Sequence, residues 1–163
     1  MAGIDELEIR PFSIDDVDSW ARTDLQRQGL VHALEISGDY LAAVQQPDGR
    51  IVGKIGIRYE EHPGAGNLLQ FDVVEDLRGR GIGTALLRRA EEVARERGCT
   101  RTTLAVEETN GDGLRLYRRL GYQVFGAEDA EWDQEAPDGS TYRYRCRCLL
   151  MQRTLTDEPG TGR

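Results

Sequence analysis

Three glycines at alternate positions, Gly79, Gly81 and Gly83, constrain the fold of this chain more than any other feature. They follow an apolar run at 68–74 that is typical of a strand, and they precede a segment with the periodicity of an amphipathic helix. One face of that segment is apolar, with Leu86, Leu87, Ala90, Val93 and Ala94, and the other is charged, with Arg88, Arg89, Glu91, Arg95 and Glu96. Gly98 is a natural end for the helix. The pattern predicts a strand, a tight turn and a helix, which is a unit of the α/β class.

The turn between this strand and this helix has the chemistry of an anion site. Glycine allows backbone N–H groups to approach a ligand closely, because it carries no Cβ. The N-terminus of a helix adds unpaired donors and the positive end of the helix dipole. Arg78 and Arg80 add positive charge at the same place. The residues Arg78–Thr84 therefore predict a pyrophosphate site, with a turn that merely starts a helix as the alternative.

The spacing of the glycines excludes two common nucleotide-binding motifs. The dinucleotide fingerprint G-x-G-x-x-G fails because Thr84 or Leu86 stands where the third glycine would be needed. A P-loop fails because the chain contains no Gly-Lys-Ser or Gly-Lys-Thr sequence. The unit also lies in the middle of the chain, whereas a Rossmann fingerprint usually follows the first parallel strand.

The residues before the glycines predict short helices and antiparallel strands. Pro47-Asp48-Gly49 separates two strand-like runs, which is typical of a hairpin. Gly29 is expected to interrupt the second helix. In chain order, the predicted elements are a strand at 7–12, a short helix after Ser13, a helix at about 25–36, strands at 40–45 and 51–59, and a loop at 62–66.

The residues after the long helix predict a second strand–helix–strand unit. In chain order, they suggest a strand at 102–106, a helix at 112–120 ended by Gly121, and strands at 122–125 and 142–151. The segment Glu128–Asp138 holds six acidic residues and no basic one, and it is expected to be an exposed loop or an edge extension. Residues 156–163 are expected to form a disordered tail. The order of elements predicts one α/β domain of mixed type over 1–155.

The charge of the chain limits its partners. The net charge is -8, which argues against nucleic-acid binding, since that affinity comes from basic side chains on phosphates. Of 21 basic residues only Lys54 is a lysine, so it is the one candidate for a Schiff base. Arginine is well suited to phosphate contacts, so local clusters can still hold an anionic ligand.

The cysteines and the apolar runs carry little functional signal. Cys99, Cys146 and Cys148 are too few for a disulfide framework, and His32 and His62 lack zinc-finger spacing from them, so no metal is expected. No apolar run approaches the roughly 18 residues that span a membrane, and no signal peptide is recognisable. The expected location is therefore cytoplasmic.

Two segments resemble the signatures of the GNAT superfamily of N-acetyltransferases. Arg78-x-x-Gly81-x-Gly83 looks like the acyl-CoA-binding motif R/Q-x-x-G-x-G/A, with Glu75 where a proline often occurs. The run from Asn110 to Tyr122 resembles the second signature, N-x-x-A-x-x-L-Y-x-x-x-G-F, with Gly113 in place of alanine and tyrosine in place of the final phenylalanine. The resemblance covers roughly residues 7–155. It implies a mostly antiparallel sheet of six to seven strands, about four helices, and a central splay that admits acyl-CoA.

The resemblance also implies roles for individual residues. Backbone groups of Val73 and Val74 would bind the pantetheine arm of acetyl-CoA, and the Val73 N–H would polarise the thioester carbonyl. Asn110 would hydrogen-bond the same arm, and Tyr117 would protonate the departing thiolate. The pyrophosphate would be held by Arg78, Gly79, Arg80, Gly81, Ile82, Gly83 and Thr84.

The base that deprotonates the acceptor amine is less well defined. Glu61 is the favoured candidate, and the alternatives are Glu60, His62, Asp72, or a water molecule held by Asn67. The implied reaction is direct transfer of an acetyl group to a primary amine of a small molecule or peptide. A non-catalytic acyl-CoA-binding module and a nucleotide-binding domain of another class are the alternatives, and a homodimer is possible in this family.

Overall fold

The computed structural model describes residues 6–155 and contains, within them, seven strands and four α-helices. The strands are β1 (Leu7–Pro11), β2 (Asp39–Gln45), β3 (Arg50–Arg58), β4 (Ala65–Val73), β5 (Arg101–Glu107), β6 (Gln123–Glu135) and β7 (Thr141–Thr154). The helices are α1 (Val17–Trp20), α2 (Asp24–Ile36), α3 (Ile82–Glu96) and α4 (Gly111–Arg119). Single 3₁₀ turns lie at Ile14–Asp16 and Glu75–Leu77. The predicted tail at 156–163 lies outside the described residues.

The chain divides into two compact units. The first runs up to Thr102 and takes in the chain from Thr154, and the second is Thr103–Arg153. In the first unit, β1, β2, β3 and β4 are neighbours in that order, and each pair is antiparallel. In the second, the order is β5-β7-β6, and β6 and β7 are antiparallel. The single domain over 1–155 and the central splay stay predictions.

Helix α3 covers the strands of the first unit as its amphipathic pattern predicts. Leu86, Leu87, Ala90 and Ala94 are all fully buried. Glu91 was predicted on the polar face, but its side chain is buried and pairs with Arg88 at 2.9 Å. The buried face of α3 is therefore wider than the sequence pattern predicted.

The hairpin predicted around Pro47–Gly49 is confirmed, since β2 and β3 pair directly across it. The predicted break at Gly29 is wrong, because α2 is continuous from Asp24 to Ile36. Gly29 is exposed with open space around its Cα, so it costs only the roughly 1 kcal/mol of helix propensity. The Thr23 side chain caps the helix by accepting the Gln26 N–H at 3.1 Å.

The acidic segment Glu128–Asp138 is an edge extension rather than a loop. Strand β6 continues to Glu135 and pairs with β7 along its whole length. The acidic residues alternate opposite arginines: Arg143 lies 3.2 Å from Glu131 and 3.1 Å from Asp133, and Arg145 lies 2.9 Å from Glu131. These ion pairs between β6 and β7 partly neutralise the negative charge of the segment.

The predicted class, a mixed and mostly antiparallel α/β fold with six to seven strands and about four helices, is confirmed. None of the helices among residues 6–155 has the length and apolar character that a membrane crossing requires.

Candidate active site

Strand β4 is irregular just before its end. Lys54 of β3 is opposite Asp72, and Gly56 is opposite Leu69, so two residues of β4 face the single residue Ile55. This is a β-bulge. Its first residue, Gln70, has φ of +51° and is the one non-glycine residue among 6–155 with a positive φ. For an L-residue that backbone costs about 1–2 kcal/mol, so neighbouring contacts must hold it.

Two side chains hold Gln70 at its two oxygen atoms. Lys54 Nζ donates to the main-chain oxygen of Gln70 at 2.8 Å, and the Tyr40 hydroxyl donates to its side-chain oxygen at 2.8 Å. Lys54 also donates to the Tyr40 hydroxyl at 3.2 Å, and its ammonium lies 5.4 Å from the centre of the Trp20 ring. Burial lowers the pKa of Lys54 to about 8, and the charge of Asp72 opposes that shift.

The main-chain groups at the end of β4 differ in how they are used. Val74 N–H donates to the Val52 oxygen at 2.9 Å, and the Val74 oxygen accepts from Leu77 N–H at 3.1 Å. Both main-chain groups of Val74 are therefore already used in backbone hydrogen bonds. Val73 N–H instead donates to the carboxylate of Asp72 at 2.9 Å, and the Val73 oxygen accepts from Arg78 Nε at 2.9 Å. Movable side chains therefore occupy the polar groups of Val73.

Arg78 joins these partners, because its guanidinium also lies 3.1 Å from the Asp72 carboxylate. Both side chains are about half exposed. Arg80 has no hydrogen bond or ion pair within residues 6–155, so its guanidinium is available to a ligand.

The N-terminus of α3 is open to an anion. Gly81 stands at the N-cap with φ of +88°, which glycine adopts without strain. No side chain caps this end, and the first turn has no acidic residue. The first N–H groups of the helix thus lack partners and can bind a phosphate group. At Gly83 a Cβ would lie 3.0 Å from the Phe71 ring, so glycine also permits α3 to pack closely on β4.

A cavity of about 440 Å³ opens beside the end of β4. The segment joining α1 and α2 forms one wall, the start of β3 forms another, and the residues after β4 form a third. Its lining includes Trp20, Asp72, Val73, Val74 and Arg78. The cavity therefore exposes the carboxylate of Asp72 together with the backbone at Val73.

In the second unit, Asn110 begins helix α4. Its side-chain oxygen accepts the Gly113 N–H at 2.9 Å, which leaves the amide nitrogen as its remaining donor. A Cβ at Gly113 would lie 2.7 Å from that nitrogen. Glycine at this position, where the family signature has alanine, is thus matched to the conformation of Asn110.

Tyr117 lies on α4, with its ring in edge contact with Tyr122 at 6.1 Å between centres. Its side chain is largely covered, and burial raises the pKa of Tyr117 to about 12. The phenol therefore stays protonated at any ordinary pH.

The structure places Glu61 away from the end of β4. Glu61 lies in the turn before β4 and pairs with Arg58 at 3.5 Å, as Glu60 does at 3.8 Å. Val73 ends the same strand, so the nine residues of β4 separate the two places, about 30 Å at 3.4 Å per residue. His62 precedes β4 as well, and Asn67, which pairs with Arg58 in the ladder, is in its first half.

Sequence reasoning missed the roles of Tyr40 and Gln70. The available signal was the lone lysine in a strand of a chain that otherwise uses arginine. The positive φ of Gln70 could not be predicted from its residue type.

In the second unit, the Tyr144 hydroxyl donates to Glu107, and the sulfur atoms of Cys146 and Cys148 lie 3.8 Å apart. Among the described residues no group of three or more potential ligands is placed to hold a metal ion.

Comparisons with known proteins give the family. The model of the acetyltransferase (GNAT) family matches residues 2–122. Acetyltransferase ECA0875 of Pectobacterium atrosepticum is 34% identical over 127 residues, which is 72% of this chain and 89% of that protein. The chain belongs to the GNAT family of acetyltransferases, whose general activity is acetyl transfer from an acyl-CoA donor.

Solved structures agree on the fold. The chain is similar to the IAA acetyltransferase of Bacillus cereus, with a TM-score of 0.70 and 19% identity over 91% of this chain and 99% of that one. It is also similar to a GNAT family acetyltransferase of Elizabethkingia anophelis with acetyl-CoA bound, with a TM-score of 0.68 and 14% identity over 93% and 99% of the two chains. At these identities the likeness shows the GNAT fold alone.

Proposed function

We propose that the protein transfers an acetyl group from acetyl-CoA to a primary amine of a small molecule or peptide, by direct attack of the amine in a ternary complex. The observation that carries the proposal is the open N-terminus of α3 beside Arg80, next to a β4 end whose Val73 groups are held only by side chains. Direct attack is favoured because no cysteine stands in either signature.

The donor is proposed to bind through the first unit. The pyrophosphate is held by the N–H groups of Gly81–Thr84 and by Arg80, with Gly79 and Ile82 shaping the turn. The Asp72 carboxylate withdraws from the Val73 N–H when the thioester carbonyl arrives, and that N–H then polarises the carbonyl. Val74 contributes its side chain, because its main-chain groups are already paired.

In the second unit, the free amide nitrogen of Asn110 is the proposed donor to the pantetheine arm. Tyr117 is the proposed acid for the departing thiolate. An ordinary thiol has a pKa of about 8.5, so a phenol with a pKa of about 12 does not by itself transfer a proton completely to a free thiolate. The carboxylate base would take one proton from the protonated amine before attack. Tyr117 would then pass its own proton to the departing sulfur as it receives the second proton of the attacking amine.

Two carboxylates are proposed as the base, and the choice between them is testable. Glu61 is the candidate favoured by the sequence, and Asp72 is the carboxylate that shares a cavity with Val73. We expect Asp72→Asn to lose about 100-fold in kcat at neutral pH, and more than Glu61→Gln. Asparagine keeps an oxygen that accepts from Val73 N–H and Arg78, so the comparison isolates the loss of a base. The reverse order of the two losses would give the role to Glu61.

The reaction itself is tested by thiol release from acetyl-CoA with a panel of primary amines, followed by mass spectrometry of the amines. We expect thiol release that depends on the amine, and one acetyl group added to at least one member of the panel. Acetyl-CoA binding in calorimetry without any acetylated amine would instead support a non-catalytic acyl-CoA-binding module.

A further inference from the structure

The one lysine of the chain is also the one buried cation among residues 6–155. The side chain of Lys54 is 7% exposed. The other 20 basic residues of the chain are arginines. A buried amine is costly, since an ion loses hydration that contacts must replace. Its contacts here are directed: the Gln70 oxygen at 2.8 Å, the Tyr40 hydroxyl at 3.2 Å and the face of Trp20 at 5.4 Å. A compact ammonium with three donors fits these contacts, while a planar guanidinium does not.

All of these contacts converge on the β4 bulge. Gln70 adopts a positive φ without being glycine, and both of its oxygen atoms accept hydrogen bonds from this cluster. Because two residues of β4 face one of β3 there, the bulge sets the direction of the last residues of β4, Asp72 and Val73, which pair with Lys54 and Gly53 beyond it. The cluster thus controls the strand end that the proposed function assigns to the thioester.

We infer that Lys54 is a positioning residue for acetyl transfer: together with Tyr40 it clamps the bulge at Gln70 and so orients the Val73 N–H toward the thioester carbonyl. This inference rests on the proposed function. Lys54 itself touches neither donor nor acceptor. Its effect passes through the backbone of β4, from the Gln70 carbonyl to Val73 three residues later.

The clamp predicts a particular kinetic signature. In Lys54→Met we expect kcat to fall about 10- to 100-fold, because misplacement of a reacting group by about 1 Å has an effect of that size. We expect KM for acetyl-CoA to change less than about threefold, because the pyrophosphate site at α3 is untouched. Arg27→Met removes an exposed cation of α2 and is the matched control, with kinetics like those of the wild type.

A double substitution separates the clamp from general damage to the core. Glycine adopts a positive φ without strain, so a chain with Gln70→Gly needs the clamp less. In that background we expect Lys54→Met to lower kcat less than about threefold, which is a coupling between the two sites. An equal loss in both backgrounds, or a folded Lys54→Met with wild-type kcat, would overturn the inference. If Lys54→Met does not fold, Tyr40→Phe replaces it in the same cycle.

The single lysine also gives a direct signal. Isotope-labelled lysine yields one side-chain amine resonance, and we expect its titration midpoint near pH 8. The ionisable groups that face the amine are Tyr40 from β2 and Asp72 from β4, while α1 presents the neutral Trp20. We expect Tyr40→Phe to move the resonance.

Acetyl-CoA serves as the probe that distinguishes the two proposals. We expect the lysine resonance to shift when acetyl-CoA binds, because the donor changes the strand end that the clamp holds. If the resonance shifts but no amine is acetylated, the clamp stands and the proposed function fails. If calorimetry detects binding while the resonance stays in place, the clamp is overturned.

Discussion

Replacing Gly81 by aspartate is expected to weaken acetyl-CoA binding by more than about 100-fold. The new carboxylate would stand at the N-cap of α3, against the pyrophosphate, and like charges at close range oppose binding by several kcal/mol. The side chain would also be strained, because the backbone at Gly81 has φ of +88°. Isothermal titration of the purified variant with acetyl-CoA measures the loss directly.

Gly98→Asp is the matched control for this substitution. Gly98 follows the other end of α3, with φ of +87° and open space around its Cα, so aspartate there has the same backbone strain and the same charge. We expect Gly98→Asp to bind acetyl-CoA as the wild type does, although a negative charge near a helix C-terminus lowers its stability. Unchanged affinity in Gly81→Asp would refute the pyrophosphate site at Arg78–Thr84.

The Tyr117→Phe variant is expected to lose about 10²- to 10⁴-fold in kcat, with little change in acetyl-CoA affinity. The substitution removes only the hydroxyl and keeps the ring that contacts Tyr122. Because the pKa of Tyr117 is raised to about 12, the acid stays protonated as pH rises. The wild-type pH profile of kcat should therefore show no alkaline loss from this phenol below about pH 11.

Tyr122→Phe provides the comparison, since it removes a hydroxyl from the neighbouring ring, which is itself buried. We expect its turnover to stay within about threefold of the wild type, whatever its effect on thermal stability. Undiminished turnover in Tyr117→Phe would remove the acid role while leaving the donor site intact.

The fold was predictable wherever local patterns and burial agreed. The alternate glycines, the amphipathic stripe and the turn at Pro47–Gly49 fix α3 and the β2–β3 hairpin, because each pattern has one low-energy realisation. The length of β6 was less clear from its composition. Its acids at 129, 131 and 133 and the arginines at 143, 145 and 147 share a period of two, which is the sequence signal of a paired extension.

The site was predictable only in part. The residues Arg78–Thr84 predict an anion site, because glycine and arginine at a helix N-terminus favour phosphate, and the open N-terminus of α3 is consistent with that prediction. The bulge at Gln70 is set by the tertiary contacts of Lys54 and Tyr40, and no local propensity favours a positive φ for glutamine. The distance between Glu61 and Val73 likewise follows from the direction and length of β4.

The buried position of Lys54 has a consequence for the outer surface of the protein. Arginine is its only other basic side chain apart from histidine, and a guanidinium stays protonated and does not accept an acyl group as an amine does. A thioester bound as proposed thus meets no accessible ε-amine of the protein, since the single one is 7% exposed. Its side chains should resist self-acetylation at high acetyl-CoA concentration, and amine-reactive dyes should leave them unlabelled while the fold is intact.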